Sequence, residues 1–334
     1  MHGVYLLWWV QERHVSPAAV AAILAAGDLA LTALEVPTGW LADRYGHRVC
    51  LIAGSALQIL GMLWCWFGRG IPGLLTASVL VACGDAFRSG ADQALLYRSC
   101  LALDREADFQ SIEARTRAAT LAALVILLLS GGVIVKTWGF AIGWLLETIL
   151  SAVGLAIACA MVEPPPRVVG DSRSTVATVG SIGSSQRVAT VATLSALIIP
   201  ASCLGGVAGA SAFFAQTSHW ANVERSTVLV AIVTLAEAAG AALARRLTAD
   251  LRSQLVLAGA GTFILFAALL QPAAFIPAVV GASFLLGVAE PLRATAIQRL
   301  SADHMRARAA SIASACDKAV ATIALIVAGM LPRG

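Results

Sequence analysis

Of the ionisable side chains that lie within long apolar runs, eight are where any chemistry this chain performs should start. Asp28, Glu35, Asp85, Arg88, Asp92, Glu237, Glu290 and Arg293 stand among Ala, Val, Leu, Ile and Gly. A charge at mid-bilayer costs about 2.5–3.5 kcal/mol on insertion scales, so each needs a partner or a water-filled cavity. Asp85, Arg88 and Asp92 follow spacings of three, four and seven, which places them on one face of a continuous helix. Glu290 and Arg293 repeat the acid-x-x-Arg spacing. Two readings stand side by side. The pairs form a polar site for a substrate or proton, or each is a self-neutralising salt bridge within its helix. Asp28 and Glu35 share a face at spacing seven. Glu35 and Glu237 lie nearer the ends of their runs and are expected to act as gate residues, whereas Glu147, Asp317 and Lys318 are expected to be structural.

The elements that carry these residues are expected to cross a membrane. Of the 334 residues, 59% are hydrophobic and 13% charged, with a mean hydropathy of +0.82. Soluble domains carry about 25% charge, and so apolar a soluble chain would expose large greasy patches. The seven cysteines form no C-x-x-C and fall mostly in apolar runs, so neither disulfides nor a metal site is expected. There is no H-E-x-x-H, no G-x-S-x-G and no basic patch interleaved with aromatics. An enzyme, a cofactor protein and a nucleic-acid binder are therefore not expected. The N-terminus lacks the charged region and cleavage site of a signal peptide.

A spanning helix needs about 20 mostly apolar residues. Complete candidates run over 17–41, 49–67, 73–97, 116–135, 138–161, 188–215, 226–247, 253–270, 274–298 and 308–331. We number them spans 2 to 11, because the apolar stub Gly3 to Val10 reads as the tail of a first span. Ser16-Pro17 supplies an N-cap and first-turn proline for span 2. Loops 2–3, 4–5, 6–7, 8–9 and 10–11 hold fifteen Arg, and the opposite side holds five Arg or Lys. That bias places the Arg-rich loops in the cytoplasm. Residues 163–187, rich in Pro, Ser, Thr and Gly, read as a cytoplasmic linker between an N-terminal bundle (1–162) and a C-terminal bundle (188–334).

The two halves resemble each other in order. Arg115-Thr116-Arg117-Ala118-Ala119 matches Arg306-Ala307-Arg308-Ala309-Ala310. Asp85, Arg88, Ala91, Gln93 and Leu95 match Glu290, Arg293, Ala296, Gln298 and Leu300. Glu35, Leu41, Ala42 and Arg44 match Glu237, Leu243, Ala244 and Arg246. Spans 2, 4 and 5 thus correspond to spans 8, 10 and 11. This is a parallel repeat of helical units about an axis along the membrane normal.

Between spans 2 and 3 stands Gly39-Trp40-Leu41-Ala42-Asp43-Arg44-Tyr45-Gly46-His47-Arg48. It resembles G-x-L-A-D-R-x-G-R-R, the loop 2–3 signature of the major facilitator superfamily. Glu35-Val36-Pro37-Thr38 and Ser89-Gly90-Ala91-Asp92-Gln93 also resemble that family, and the likeness covers nearly the whole chain. It implies an all-α membrane fold of two six-helix bundles, here without most of helix 1 and without helix 12. The implied activity is secondary transport of a small solute across the cytoplasmic membrane by alternating access, with proton-coupled efflux among its forms. The implied partners are the solute, protons and the surrounding bilayer, with the chain as a monomer. The resemblance makes Asp43 a lock that holds the cytoplasmic side closed, with Arg44 and Arg48 as its local partners and Gly39 and Gly46 allowing close helix approach. It makes Asp28, Asp85, Arg88, Asp92, Glu290 and Arg293 the candidate substrate or proton site.

Three departures from the family pattern matter. His47 replaces the usual basic residue, so one fixed charge becomes pH-dependent. Arg98 stands where many relatives carry an acid, so the charge network below the loop must be wired differently. Ser130-Gly131-Gly132 lacks the proline of the G-x-x-x-G-P run found in many antiporters, which weakens a drug/proton antiporter reading. The rival reading is a truncated, non-transporting remnant or a membrane partner subunit.

Overall fold

The first complete helix starts where Ser16 and Pro17 should start it. Ser16 Oγ accepts the Ala19 N–H at 3.2 Å, with proline in the first turn, satisfying one of the orphan donors of a helix N-terminus. The computed structural model describes residues 8–9, 12–164, 199, 202–205, 223–247, 256–257, 259–262, 275–301 and 306–330. The expected spans 188–215 and 253–270, the stub and the linker fall outside the described residues apart from short pieces.

The other expected spans are helices. They are α1 (Pro17–Tyr45), α2 (His47–Phe67), α3 (Gly70–Arg88), α4 (Ala91–Ala102), α5 (Phe109–Ala160), α6 (Val223–Ala244), α7 (Phe275–Leu300) and α8 (Arg306–Met330), with a 3₁₀ turn at Glu106–Asp108. The described residues contain no strand. Expected spans 5 and 6 are the two arms of α5. Non-helical backbone at Gly139 (φ 79°, ψ 170°) breaks the axis between them. Among the described residues, five stretches are long and apolar enough to cross a membrane: Ala22–Tyr45, His47–Phe67, Gly70–Ala102, Glu106–Ala160 and Phe275–Leu300.

Span 4 departs from expectation. It is two helices, α3 and α4, because Gly90 adopts a left-handed conformation (φ 73°) between them. Asp85 and Arg88 therefore belong to α3 and Asp92 to the first turn of α4, so the spacing of seven no longer describes one helical face. The break coincides with a close approach of another helix: a Cβ on Gly90 would lie 2.8 Å from the carbonyl oxygen of Ala307 on α8. Only glycine permits both that φ and that approach.

Small residues set the helix packing, as expected where lipid offers no hydrophobic drive between helices. A Cβ on Gly54 of α2 would fall 2.7 Å from the Gly84 oxygen of α3, and one on Gly84 would fall 2.7 Å from the Gly54 oxygen. On α6 and α7, a Cβ on Gly287 would meet the Glu237 oxygen at 2.0 Å. Contacts between the helices before residue 164 and those after residue 223 come in exchanged pairs. The repeat carries α1 onto α6, α5 onto α8, and α3–α4 onto α7. It therefore turns the α1–α8 contact into α6–α5 and the α4–α8 contact into α7–α5, and all four contacts are present.

Candidate functional site

At the arginine-rich end, α1 meets α8 through Asp43. Its Oδ1 accepts the Ala307 N–H at 3.1 Å and its Oδ2 accepts the Arg308 N–H at 3.2 Å. These belong to the first turn of α8, whose N–H groups have no intrahelical partner and whose end carries partial positive charge. One carboxylate thus caps a helix of the opposite half. The approach requires Gly39, where a Cβ would lie 2.7 Å from Ser311 Oγ and 3.1 Å from Arg308 Cα. Ser311 Oγ donates to the Ser89 carbonyl at 3.3 Å. The Arg306 guanidinium lies 4.5 Å from the Tyr97 ring centroid, a geometry for cation–π attraction.

The neighbours of Asp43 differ from those implied by the loop signature. Arg44 lies over the Trp40 and Tyr45 rings at 5.1 and 5.6 Å, and Arg48 donates to the Cys159 carbonyl at 2.5 Å. Adjacent residues of a helix do not face one another, which turns Arg44 away from Asp43. Arg48 begins a new helix beyond the break at Gly46 (φ 106°). On its own half His47 stands one turn beyond Asp43, with Nε2 3.9 Å from Asp43 Oδ1.

The rewired network around Arg98 uses Glu163, the first residue of the expected linker. Glu163 Oε1 accepts the His47 N–H at 2.8 Å, and Oε2 accepts the Arg48 N–H at 3.0 Å, so this carboxylate caps α2. The His47 Nδ1 lies 3.1 Å from Glu163 Oε1, and Arg98 Nη1 lies 3.5 Å from the same oxygen. Burial pushes the Glu163 carboxyl upward. The two backbone N–H bonds and the His47 ring outweigh that and hold it below its ordinary value of 4.5. Sequence reasoning missed Glu163, although a signal existed: an arginine in the place of an acid calls for an acid from elsewhere. Gly46 completes the arrangement, because a Cβ there would meet Glu163 Oε2 at 2.7 Å.

The two candidate gate residues each reach the opposite half. Glu35, 1% exposed, accepts Ser314 Oγ of α8 at 2.5 Å and Ser89 Oγ at 3.4 Å. Glu237 of α6 accepts Arg117 Nη2 of α5 at 2.8 Å. Beside that pair, Gln110 Nε2 donates to the carbonyls of Ala244 and Leu247 at 3.0 and 2.6 Å. Arg117 is not among the site residues expected from the sequence, though its match to Arg308 in the repeat is a usable signal.

Deeper in the helices the two acid-x-x-Arg pairs behave differently. Arg293, 5% exposed, donates to Glu290 Oε1 at 2.5 Å, forming the intrahelical pair. It also grips Asp317 of α8 with both terminal nitrogens, at 2.8 and 2.7 Å. Asp317 is thus a bidentate ion-pair partner that joins α7 to α8, a geometry suited to guanidinium. Arg88 instead donates to Gln58 of α2. From the opposite half, Lys318 of α8 acts electrostatically on Asp28, Glu35 and Asp85. Asp92 accepts its neighbour's Gln93 N–H at 2.8 Å, and the Gln93 amide reaches Glu113 at 3.4 Å. The structure therefore gathers Glu290 and Asp317 around Arg293 and turns Arg88 toward Gln58, so the two acid-x-x-Arg pairs are not alike. Among the described residues no cluster of metal-ligating side chains occurs.

A family model described as Major Facilitator Superfamily matches residues 1–329. No curated protein matches the chain. Solved structures with the same fold include the transporter FucP in the outward conformation, with a TM-score of 0.70 and 11% identity, covering 98% of this chain and 87% of that one. The proton:xylose symporter XylE aligns with a TM-score of 0.71 and 14% identity over 98% and 84% of the two chains. A bacterial homologue of the iron transporter ferroportin, in an outward-facing state, aligns with a TM-score of 0.69 and 15% identity over 98% and 86%.

Proposed function

The chain belongs to the Major Facilitator Superfamily, and from that premise we propose that it moves a small solute across the cytoplasmic membrane by proton-coupled alternating access. Membership makes it a multi-pass membrane protein and a secondary transporter of small solutes. One observation carries the finer reading: the two halves are closed against each other at the arginine-rich end by a pair of contacts that the repeat exchanges, α1 with α8 and α5 with α6. Such a twofold closure is one state of a rocking pair of bundles. In this reading 1–162 and 188–334 are the bundles, 163–187 links them, and the closed end is cytoplasmic. Asp43 is the lock, through the α8 N-terminus, with Gly39 and Gly46 permitting its approach and Glu35 and Glu237 bracing the same closure.

The proton site is Asp85 with Asp28. Both carboxylates lie within electrostatic reach of Lys318 on the other half, with Arg88 also acting on Asp85, whereas Glu290 is committed to Arg293. A carboxylate balanced by charges at a distance can change that balance when a solute or proton arrives. Proton coupling is in keeping with XylE, itself a proton symporter.

The test uses the full chain in proteoliposomes that trap a pH-sensitive dye. A panel of sugars, amino acids and organic cations is added from either side, and solute-evoked proton flux is read. At least one class should evoke flux, and solute leaving the cytoplasmic side as protons enter would be efflux. Asp85→Asn should lose the flux while inserting normally. Undiminished flux in that variant would remove Asp85 from the relay.

A further inference from the structure

His47 occupies a position that no part of the transport cycle above uses. It is 1% exposed and lies at the N-terminus of α2, one turn beyond Asp43. Its Nδ1 lies 3.1 Å from Glu163 Oε1 and 3.1 Å from Arg98 Nη1. The two contacts demand opposite roles of one nitrogen. Toward Glu163 it must donate a proton, and toward Arg98 it must accept one. Its Nε2 makes no hydrogen bond and points at Asp43 Oδ1, 3.9 Å away. Neutral imidazole with hydrogen on Nε2 suits Arg98. Imidazolium suits Glu163 and Asp43 together.

We propose that His47 is a proton sensor that releases the Asp43 lock when the cytoplasm acidifies. The argument rests on the closure reading of Asp43 and compares the two ends of the rocking motion. When the end is closed, the Asp43 charge is balanced by the Ala307 and Arg308 N–H groups and by the Arg308 side chain nearby. When it opens, α8 withdraws and that balance is lost, so the field of Asp43 on His47 becomes more negative. The other groups facing the ring stay in place on its own half: Glu163 after α5 and Arg98 from α4. The proton therefore binds more tightly in the opened state, and by linkage proton binding favours opening. A fixed arginine at this place would hold one setting at every pH. Histidine makes the setting respond between about pH 5 and 8.

The Ala307 and Arg308 amides report the lock directly, since Asp43 is their partner. Hydrogen exchange of the peptide containing them is measured by mass spectrometry on the full chain in nanodiscs, at pH 7.5 and 5.5, after correction for intrinsic rates. We expect exchange at least about fivefold faster at pH 5.5, the lower end of ordinary coupling energies. His47→Gln should exchange slowly at both values, and His47→Arg quickly at both. If arginine does not fit the buried site, the wild type and His47→Gln still decide. Equal wild-type exchange at the two values, or a pH response surviving in His47→Gln, overturns the inference. Asp43→Asn separates the two failures. If it exchanges as slowly as wild type, the closure reading itself is wrong. If it exchanges quickly while the wild type ignores pH, only the sensor is wrong.

Discussion

A buried carboxylate is informative only together with the donors around it. Glu163 is held by two backbone N–H groups, a histidine and an arginine, so its worth to the fold depends on its charge. Its carboxyl is held below 4.5 when folded, so its stabilisation is complete above that pH and is lost as pH falls through the folded value. Glu163→Ala should destabilise by about 1–2 kcal/mol at pH 7, the usual range for a lost helix cap. The gap to wild type should close below pH 4.5, which thermal unfolding at several pH values would read. Arg293 poses the opposite case. Its removal leaves Glu290 and Asp317 facing each other with no cation between them. Arg293→Ala should cost about 3–5 kcal/mol, the range for a broken buried pair. Lysine should recover only part of this, because an ammonium cannot reproduce the two-point grip on Asp317. Unfolding midpoints of the two variants in detergent check the order.

At the scale of the helix, glycines decide what the apolar pattern leaves open. Gly90 splits span 4 and lets α8 come within contact of its backbone. Gly90→Ala should cost at least about 1–2 kcal/mol from the left-handed backbone alone. The clash with the Ala307 oxygen should also loosen the closed end, visible as faster proteolysis of the neighbouring loops. Gly132 is the control. It lies within α5 and nothing comes within 4 Å of a Cβ placed there. Gly132→Ala should be neutral or should stabilise by about 0.5–1 kcal/mol, as alanine does in helix interiors. Destabilisation of similar size by both changes would mean that Gly90 is not special. The rule that carried helix faces from sequence failed at this glycine. Asp92 was assigned to the face of Asp85 because spacing assumes an unbroken axis.

For the whole molecule, the repeat implies that closure is shared between two related seams. One is Asp43 against the start of α8, and the other is Arg117 against Glu237. Asp43→Asn and Arg117→Ala should each weaken closure by about 1–3 kcal/mol, as expected for hydrogen bonds to charged groups. The double variant should open the arginine-rich end further than either alone. Spin-label distances between Leu103 and Leu300, one from each half, would measure it. A double variant no more open than Asp43→Asn would mean that only the α1–α8 seam holds the closure.

The sequence by itself determined the class, the family and most of the spans that fall among the described residues. Apolar length, the arginine bias and the loop signature are local or summed properties, and each survives without knowledge of which helix touches which. The start of α1 at Ser16-Pro17 and the order of the repeat were readable for the same reason. Tertiary structure decided the partners. Asp43 binds backbone N–H groups 264 and 265 residues away, and a backbone donor leaves no mark in composition. Arg293 chose Asp317 as well as Glu290, Arg88 chose Gln58, and Lys318 came within electrostatic reach of three acids of the other half. Spacing along one helix can say which charges share a face. Which charge answers them is settled by how two bundles close, because a desolvated charge accepts whatever partner the packing brings within reach.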